Sequence, residues 1–319
     1  MRLIKFTWSG LKQPCWGIER DGKAYPVAGC TTAATAFRFA RAGKAPTGRG
    51  VPIEKCTLLP PADERAHVYC AGLNYRDHAA EVRMPIPASP VFFTKSGGAL
   101  AGAHDDIIYP ESVTLLDYEV ELALVIGARI GRNDVVTADN LPACILGITI
   151  MNDVSARDVQ LSAGQWFLGK SFRTFAPLGP VIQTLDALVL SRLYALELEL
   201  SVYNALGAPY DYKRQRGTTA DMIFKPHELI RCLQEKFDLL PGDVIATGTP
   251  CGVALGRPSH FRARIAEILG IPQGERIARF LKGERRHNPK YLMRGDRIEA
   301  RIRSADGVVD LGVQRNFVK

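Results

Sequence analysis

No pair of cysteines in this chain has C-x-x-C spacing, and the seven thiols, at positions 15, 30, 56, 70, 144, 232 and 251, are odd in number and scattered. That pattern argues against both a disulfide framework and a zinc-finger site. Also missing is any uninterrupted apolar run approaching the ~18 residues of a membrane helix. The opening MRLIKFTWSG has neither the apolar stretch nor the small-residue cleavage site of a secretory signal. A cytoplasmic protein with no membrane partner is therefore expected. Neither H-E-x-x-H nor G-x-S-x-G occurs, so zinc-peptidase and nucleophile-elbow chemistries have no motif to support them. Internal repeats and low-complexity segments are absent as well.

What is present is the composition of a globular protein: 319 residues, 46% hydrophobic and 23% charged. This length suits one large domain with a smaller appendage, or two domains. Net charge is +8, and residues 257–294 carry ten Lys or Arg against Glu267, Glu275 and Glu284, which is +7 of it. Basicity thus belongs to one segment. A nucleic-acid surface there would have only Phe261, Phe280 and Tyr291 for base stacking, a weak match to single-strand recognition, so no nucleic-acid partner is expected.

Ile4, Phe6 and Trp8 alternate with polar residues, and Asp21-Gly22 marks a turn into Lys23–Val27, which reads as a strand and hairpin. Ala33–Ala42 is helix-compatible, the Gly- and Pro-rich run 43–52 ends it, and Leu59–Asp63 looks like a connection. A small N-terminal domain is placed at 1–65 and a larger domain at 66–319. In the latter, strand-like runs recur at 68–71, 91–93, 107–109, 119–126, 146–151, 196–203, 243–246 and 297–302, with Lys225–Leu233 and Phe261–Leu269 the clearest helices. Regular β-α-β alternation is lacking, so the fold class is α+β and strand-dominated.

LLDYEVELALVIG is the most informative segment. On a strand Asp117, Glu119 and Glu121 share one face, which continues as Ala123 and Val125, while Tyr118, Val120, Leu122 and Leu124 share the other. A strand that turns apolar on both faces carries its carboxylates into a buried environment, where like charges need a cation. Oxygen donors of this kind suit Mg²⁺ or Mn²⁺. Asp153, at the end of the apolar run Ile145–Met151, is the best third acid. The alternative is a solvated acidic strand edge. In GLNYRDHAAEV, Asn74 can cap a short helix that puts His78 and Glu81 at i and i+3 on one face. That spacing suits a general base oriented by a carboxylate; taken alone it is more often an ordinary surface pair.

Taken in order, GLNYRDHAAE, PVFFTKSGGAL, DYEVELALVIG, NDVSARDVQ, GQWFLGKSFRTFAPLGP, TTADMIF, LLPGDVIATGTPCGV and RGDRIEARI resemble the fumarylacetoacetate hydrolase family, in its branch of acylpyruvate hydrolases and related decarboxylases and isomerases. The resemblance implies a mixed β-sandwich roll, a homodimer, and a divalent metal, Mg²⁺ or Mn²⁺, chelated by a small anionic 2-oxo acid. By motif, Glu119, Glu121 and Asp153 resemble the metal ligands, and Lys170 looks like the family's active-site lysine. Arg157, Gln160 and Thr249 look like substrate-contacting positions. His78 with Glu81 resembles the water-activating pair, Lys95 matches the F-x-K pattern, and Asp117 stands behind the ligands. The implied activity is cleavage of a C–C bond in a 2,4-dioxo acid or acylpyruvate through a metal-bound enolate, the alternative being an oxaloacetate-type decarboxylase or a 2-oxo acid isomerase. Two departures stand out: a basic insertion at about 254–290, and Tyr203-Asn204-Ala205-Leu206-Gly207 where the family has a Val-Asn-Gly turn.

Overall fold

The N-terminal alternation forms the strand Arg2–Thr7, and Asp21-Gly22 turns Cys15–Arg20 back into Lys23–Pro26. Both turn residues have positive φ, 51° and 71°, the geometry that D-G supplies most readily. These strands belong to a computed structural model that describes residues 1–10, 13–46, 48–63, 65–210, 214–256 and 272–319. The chain is strand-dominated α+β.

Among the described residues thirteen strands form one mixed sheet. From Arg2–Thr7 it passes through Ile182–Gln183, Ile145–Asn152, Val120–Ile126 and Val244–Ala246 to Val68–Gly72 and the edge strand Val91–Lys95. Val244–Ala246 runs parallel to Val68–Gly72; the other neighbours on this path are antiparallel. The five N-terminal strands, Arg2–Thr7, Cys15–Arg20, Lys23–Pro26, Val51–Pro52 and Thr57–Leu59, belong to this sheet. Leu3, Trp16, Ile18, Ala33 and Ala36 also pack in one cluster with Val125, Leu146 and Ile182.

A second, four-stranded antiparallel sheet is ordered Gln215–Thr218, Leu196–Tyr203, Arg297–Ser304, Asp310–Phe317. Its alternate residues Leu196, Leu198, Leu200, Ile298 and Ile302 meet Val120, Leu122, Leu124, Ile148 and Ile150 in the main core. The strand Val120–Ile126 is buried along its whole length. One face enters that core, and the other passes from Glu121 to Ala123 and Val125, each in a smaller apolar cluster. This double burial is what brings the carboxylates indoors.

Some local readings differ from the structure. Residues 107–109 form no strand: Ile107 makes a lone bridge to Val318, and Pro110, lacking an N–H, cannot extend the ladder. Asn74 does not cap the helix Arg76–Val82, whose N-cap is Tyr75. Its amide instead donates to the Phe224 and Thr247 carbonyls at 3.0 and 2.8 Å and accepts from Phe224 N–H, a buried cross-chain tie with no local signature. The helix placed at Phe261–Leu269 lies outside the described residues. The basic insertion contributes the helix Gln273–His287, whose half-buried Ile277, Phe280, Leu281 and Glu284 recur at helical spacing. No described helix is long and apolar enough to cross a membrane.

Candidate active site

Two strand ends build the centre. Val120 pairs with Asn152 and Glu121 with Met151, and Asp153 N–H donates to the Glu119 carbonyl at 2.8 Å. This register sets Asp153 beside both glutamates. Glu119, Glu121 and Asp153, all buried, each offer one carboxylate oxygen within 4.8 Å of the others.

Three cations meet these acids. Lys170, at the end of the helix Phe167–Lys170, donates to Glu119 Oε2 at 2.8 Å and Asp153 Oδ2 at 2.6 Å. Lys95 closes the edge strand and bonds the other Asp153 oxygen and, at 3.0 Å, the Val154 carbonyl. Arg157, at the start of the helix Arg157–Ser162, reaches Asp117 through Nε at 2.8 Å, Glu119 through Nη2, and Gln160 Oε1 through Nη1 at 2.9 Å. Lys170, Arg157 and Gln160 are therefore buried members of one network.

Electrostatics divides the acids. Burial opposes ionisation of Glu119, but Lys170 and Arg157 outweigh it and hold the carboxyl at about 2. Burial, with Asp153 and Glu119 as neighbours, pushes Glu121 well above the carboxylate range. Burial also lowers Lys95 against the pull of Asp153, whereas Asp153 and Glu119 overcome burial and raise Lys170. Four buried carboxylates, counting Asp117, face three cations, and Glu121 takes a backbone N–H from Gly248 at 2.8 Å. Among the described residues it has no ion pair of its own. A buried, uncompensated carboxylate beside two others is a donor set that fits a hard divalent cation such as Mg²⁺ or Mn²⁺.

The loop after Val244–Ala246 runs along the acidic strand and meets it residue by residue. Thr247 and Thr249 hydroxyls donate to the Leu122 and Val120 carbonyls, each at 2.9 Å. Ala254 and Leu255 N–H groups donate to Asp117 at 2.7 and 3.0 Å. The Thr249 hydroxyl also accepts from Gln215 Nε2 at 2.8 Å, so both of its roles already have protein partners. Gln215, not singled out from the sequence, further accepts from Val120 N–H at 2.8 Å. A lone buried glutamine carries no spacing signal that would find it.

His78 and Glu81 lie on the helix Arg76–Val82 with Nδ1 3.3 Å from Glu81 Oε2. Their side chains are 11% and 15% exposed, which sets them apart from a surface pair. Glu81 also accepts from Gly252 N–H at 3.0 Å, tying the helix to the loop. Gly252 has φ +107°, and a Cβ there would fall inside the Arg214 carbonyl. Gly252→Ala is therefore expected to cost about 1–3 kcal/mol and to loosen Glu81, measured as a lower urea midpoint together with faster amide exchange in residues 250–254.

Residues 67–319 match the family model of the fumarylacetoacetate (FAA) hydrolase C-terminal region. Oxaloacetate tautomerase Fahd2a, mitochondrial, of Rattus norvegicus is 34% identical over 285 residues, covering 84% of this chain and 87% of that protein. The fumarylacetoacetate hydrolase domain-containing protein 2 homolog of Dictyostelium discoideum is 41% identical over 226 residues, 69% of this chain and 72% of that one. Among solved structures, 2-hydroxyhepta-2,4-diene-1,7-dioate isomerase from Mycobacterium marinum superposes with TM-score 0.70 at 28% identity, over 100% of this chain and 98% of that one.

Proposed function

Since the chain belongs to the fumarylacetoacetate hydrolase family, we propose that it is a divalent-metal-dependent isomerase of small 2-oxo acids, interconverting the keto and enol forms of an oxaloacetate-like dicarboxylate. The observation that carries this reading is the buried Glu119–Glu121–Asp153 triad bonded to Lys170, in a chain whose relatives are named tautomerase and isomerase. A divalent cation held by those three carboxylates supplies Lewis-acid stabilisation of charge on the substrate's oxygens. The chain's own groups provide the rest.

Tautomerisation moves one proton from the carbon next to a carbonyl and returns one to the carbonyl oxygen. A carboxylate can only accept, so Glu81 accepts a hydrogen bond from the Nδ1–H of His78 and leaves Nε2 as the basic nitrogen. Lys170 holds positive charge where negative charge develops, and Arg157, fixed by Asp117 and Gln160, orients a substrate carboxylate.

Acylpyruvate hydrolysis is the second reading, favoured by the same His78–Glu81 pair, because a base that takes a proton from carbon can also take one from water. The experiment is a three-way assay of the Mg²⁺- or Mn²⁺-loaded protein: enol-to-keto conversion of oxaloacetate, pyruvate release from oxaloacetate, and acylpyruvate cleavage. Tautomer conversion should dominate, and His78→Ala should lower it by the ~10²- to 10⁴-fold expected of a general base with metal binding retained. Dominant acylpyruvate cleavage with unaccelerated tautomer exchange would hand the assignment to the hydrolase. The proposal includes a homodimer, read as twice the chain mass by light scattering.

A further inference from the structure

We infer that Glu284, on the inserted helix Gln273–His287, is a positioning residue for the Arg157 guanidinium, acting through the backbone of residues 254–256 and Asp117. One Glu284 oxygen, Oε2, accepts from Gly256 N–H at 2.8 Å, Asn288 Nδ2 at 2.9 Å and the Tyr291 hydroxyl at 2.9 Å. Asn288 Nδ2 also donates to the Ala254 carbonyl at 2.6 Å. Glu284 and Asn288 thus hold the Gly256 N–H and the Ala254 carbonyl on either side of Leu255, in a stretch whose Ala254 and Leu255 N–H groups are the ones donated to Asp117.

Asp117 has no exposed surface, and its remaining partners are Tyr118 N–H at 2.8 Å and Arg157. Its position is therefore set by this backbone on one side and read out by the guanidinium on the other. Gly256 is needed for the approach, because a Cβ on it would overlap the Glu284 carboxylate. Tyr291, 6% exposed, brings its hydroxyl to the same oxygen, and Leu292 N–H donates to the Leu116 carbonyl at 2.9 Å, fixing the far end of the insertion beside Asp117. Three donors on one carboxylate oxygen make a rigid clamp.

The inference rests on the proposed function only where Arg157 is said to orient substrate. Mn²⁺-loaded wild type is compared with Glu284→Ala, Glu284→Gln, Arg157→Lys and the double variant Glu284→Ala/Arg157→Lys, on oxaloacetate. Glu284→Ala should raise KM about 10-fold, as loss of an outer partner does, with kcat changed less than about threefold. Glu284→Gln, which keeps an acceptor oxygen, should recover most of the loss. In the Arg157→Lys background Glu284→Ala should add almost nothing. Amide exchange at Ala254 and Leu255 should accelerate in Glu284→Ala and return toward wild type in Glu284→Gln. A KM effect undiminished in the Arg157→Lys background, or unchanged exchange at those two amides, overturns the inference. If wild type does not act on oxaloacetate, the functional reading fails by itself. The exchange result and a double-mutant cycle on urea midpoints then decide, coupling supporting the clamp and additivity overturning it.

Discussion

Glu121→Gln is expected to bring metal-dependent turnover down to background while leaving the metal-free protein about as stable as wild type. Burial and two neighbouring acids push the Glu121 carboxyl well above the usual range, so in the metal-free protein it keeps its proton more readily than an ordinary carboxyl does. Gln is close to a neutral acid in shape and still offers an oxygen to the Gly248 N–H. What the substitution removes is the ability to ionise onto a divalent cation, and Lewis-acid stabilisation worth several kcal/mol goes with it. Titration calorimetry with Mn²⁺ should show lost or strongly weakened binding, and urea unfolding without metal should move by less than about 1 kcal/mol. Wild-type turnover in this variant would remove Glu121 from the ligand set. Asp153→Asn is the informative contrast: it also weakens metal binding, yet it removes the charge that pairs with Lys95 and Lys170, turns one of the two acceptor oxygens into an NH2 donor facing a lysine, and should destabilise the metal-free fold.

Lys170→Met reverses that pattern and carries the largest expected stability change. Lys170 is 2% exposed and bonds two carboxylates, and removing one partner of a buried ion pair leaves charge uncompensated at a cost of about 3–5 kcal/mol. The Met side chain retains packing volume against Phe93, whose ring centre lies 5.1 Å from the lysine nitrogen, so the loss isolates the charge. Added Mn²⁺ should restore part of it, because the orphaned carboxylates then acquire a cation. The measurement is the urea midpoint with and without Mn²⁺, and a stability within about 1 kcal/mol of wild type without metal would show that the lysine does not balance these acids.

How far the sequence reached depended on element length. Leu196–Tyr203, with its strict alternation, has the same bounds in the structure, and the carboxylate alternation of residues 117–121 leads to the buried triad because strand period and burial pattern agree. The helices Arg157–Ser162 and Phe167–Lys170, six and four residues long, are too short for hydrophobic periodicity. Arg157, Gln160 and Lys170 are therefore legible by motif resemblance and not by spacing. Asn74, Gln215 and Glu284 act through backbone groups far along the chain, information that no local pattern contains. Glu284 sits within a basic stretch, where a lone acid reads as a solvated charge until its three donors are seen.

The parallel pairing of Val68–Gly72 with Val244–Ala246 has a consequence for biosynthesis. The strand that joins residue 68 to the centre of the sheet is among the later ones to leave the ribosome, and Arg2 likewise waits for Gln183. Until then the nascent chain displays the apolar faces of Val120–Ile126 and Ile145–Asn152 with open edges. Such non-local closure slows folding and leaves intermediates prone to association. The loop of residues 247–255, whose backbone N–H groups bond Glu121 and Asp117, is made later still. Maturation of the site is therefore tied to completion of the sheet, and a chain stalled before that loop would hold its acids without the backbone donors that order them.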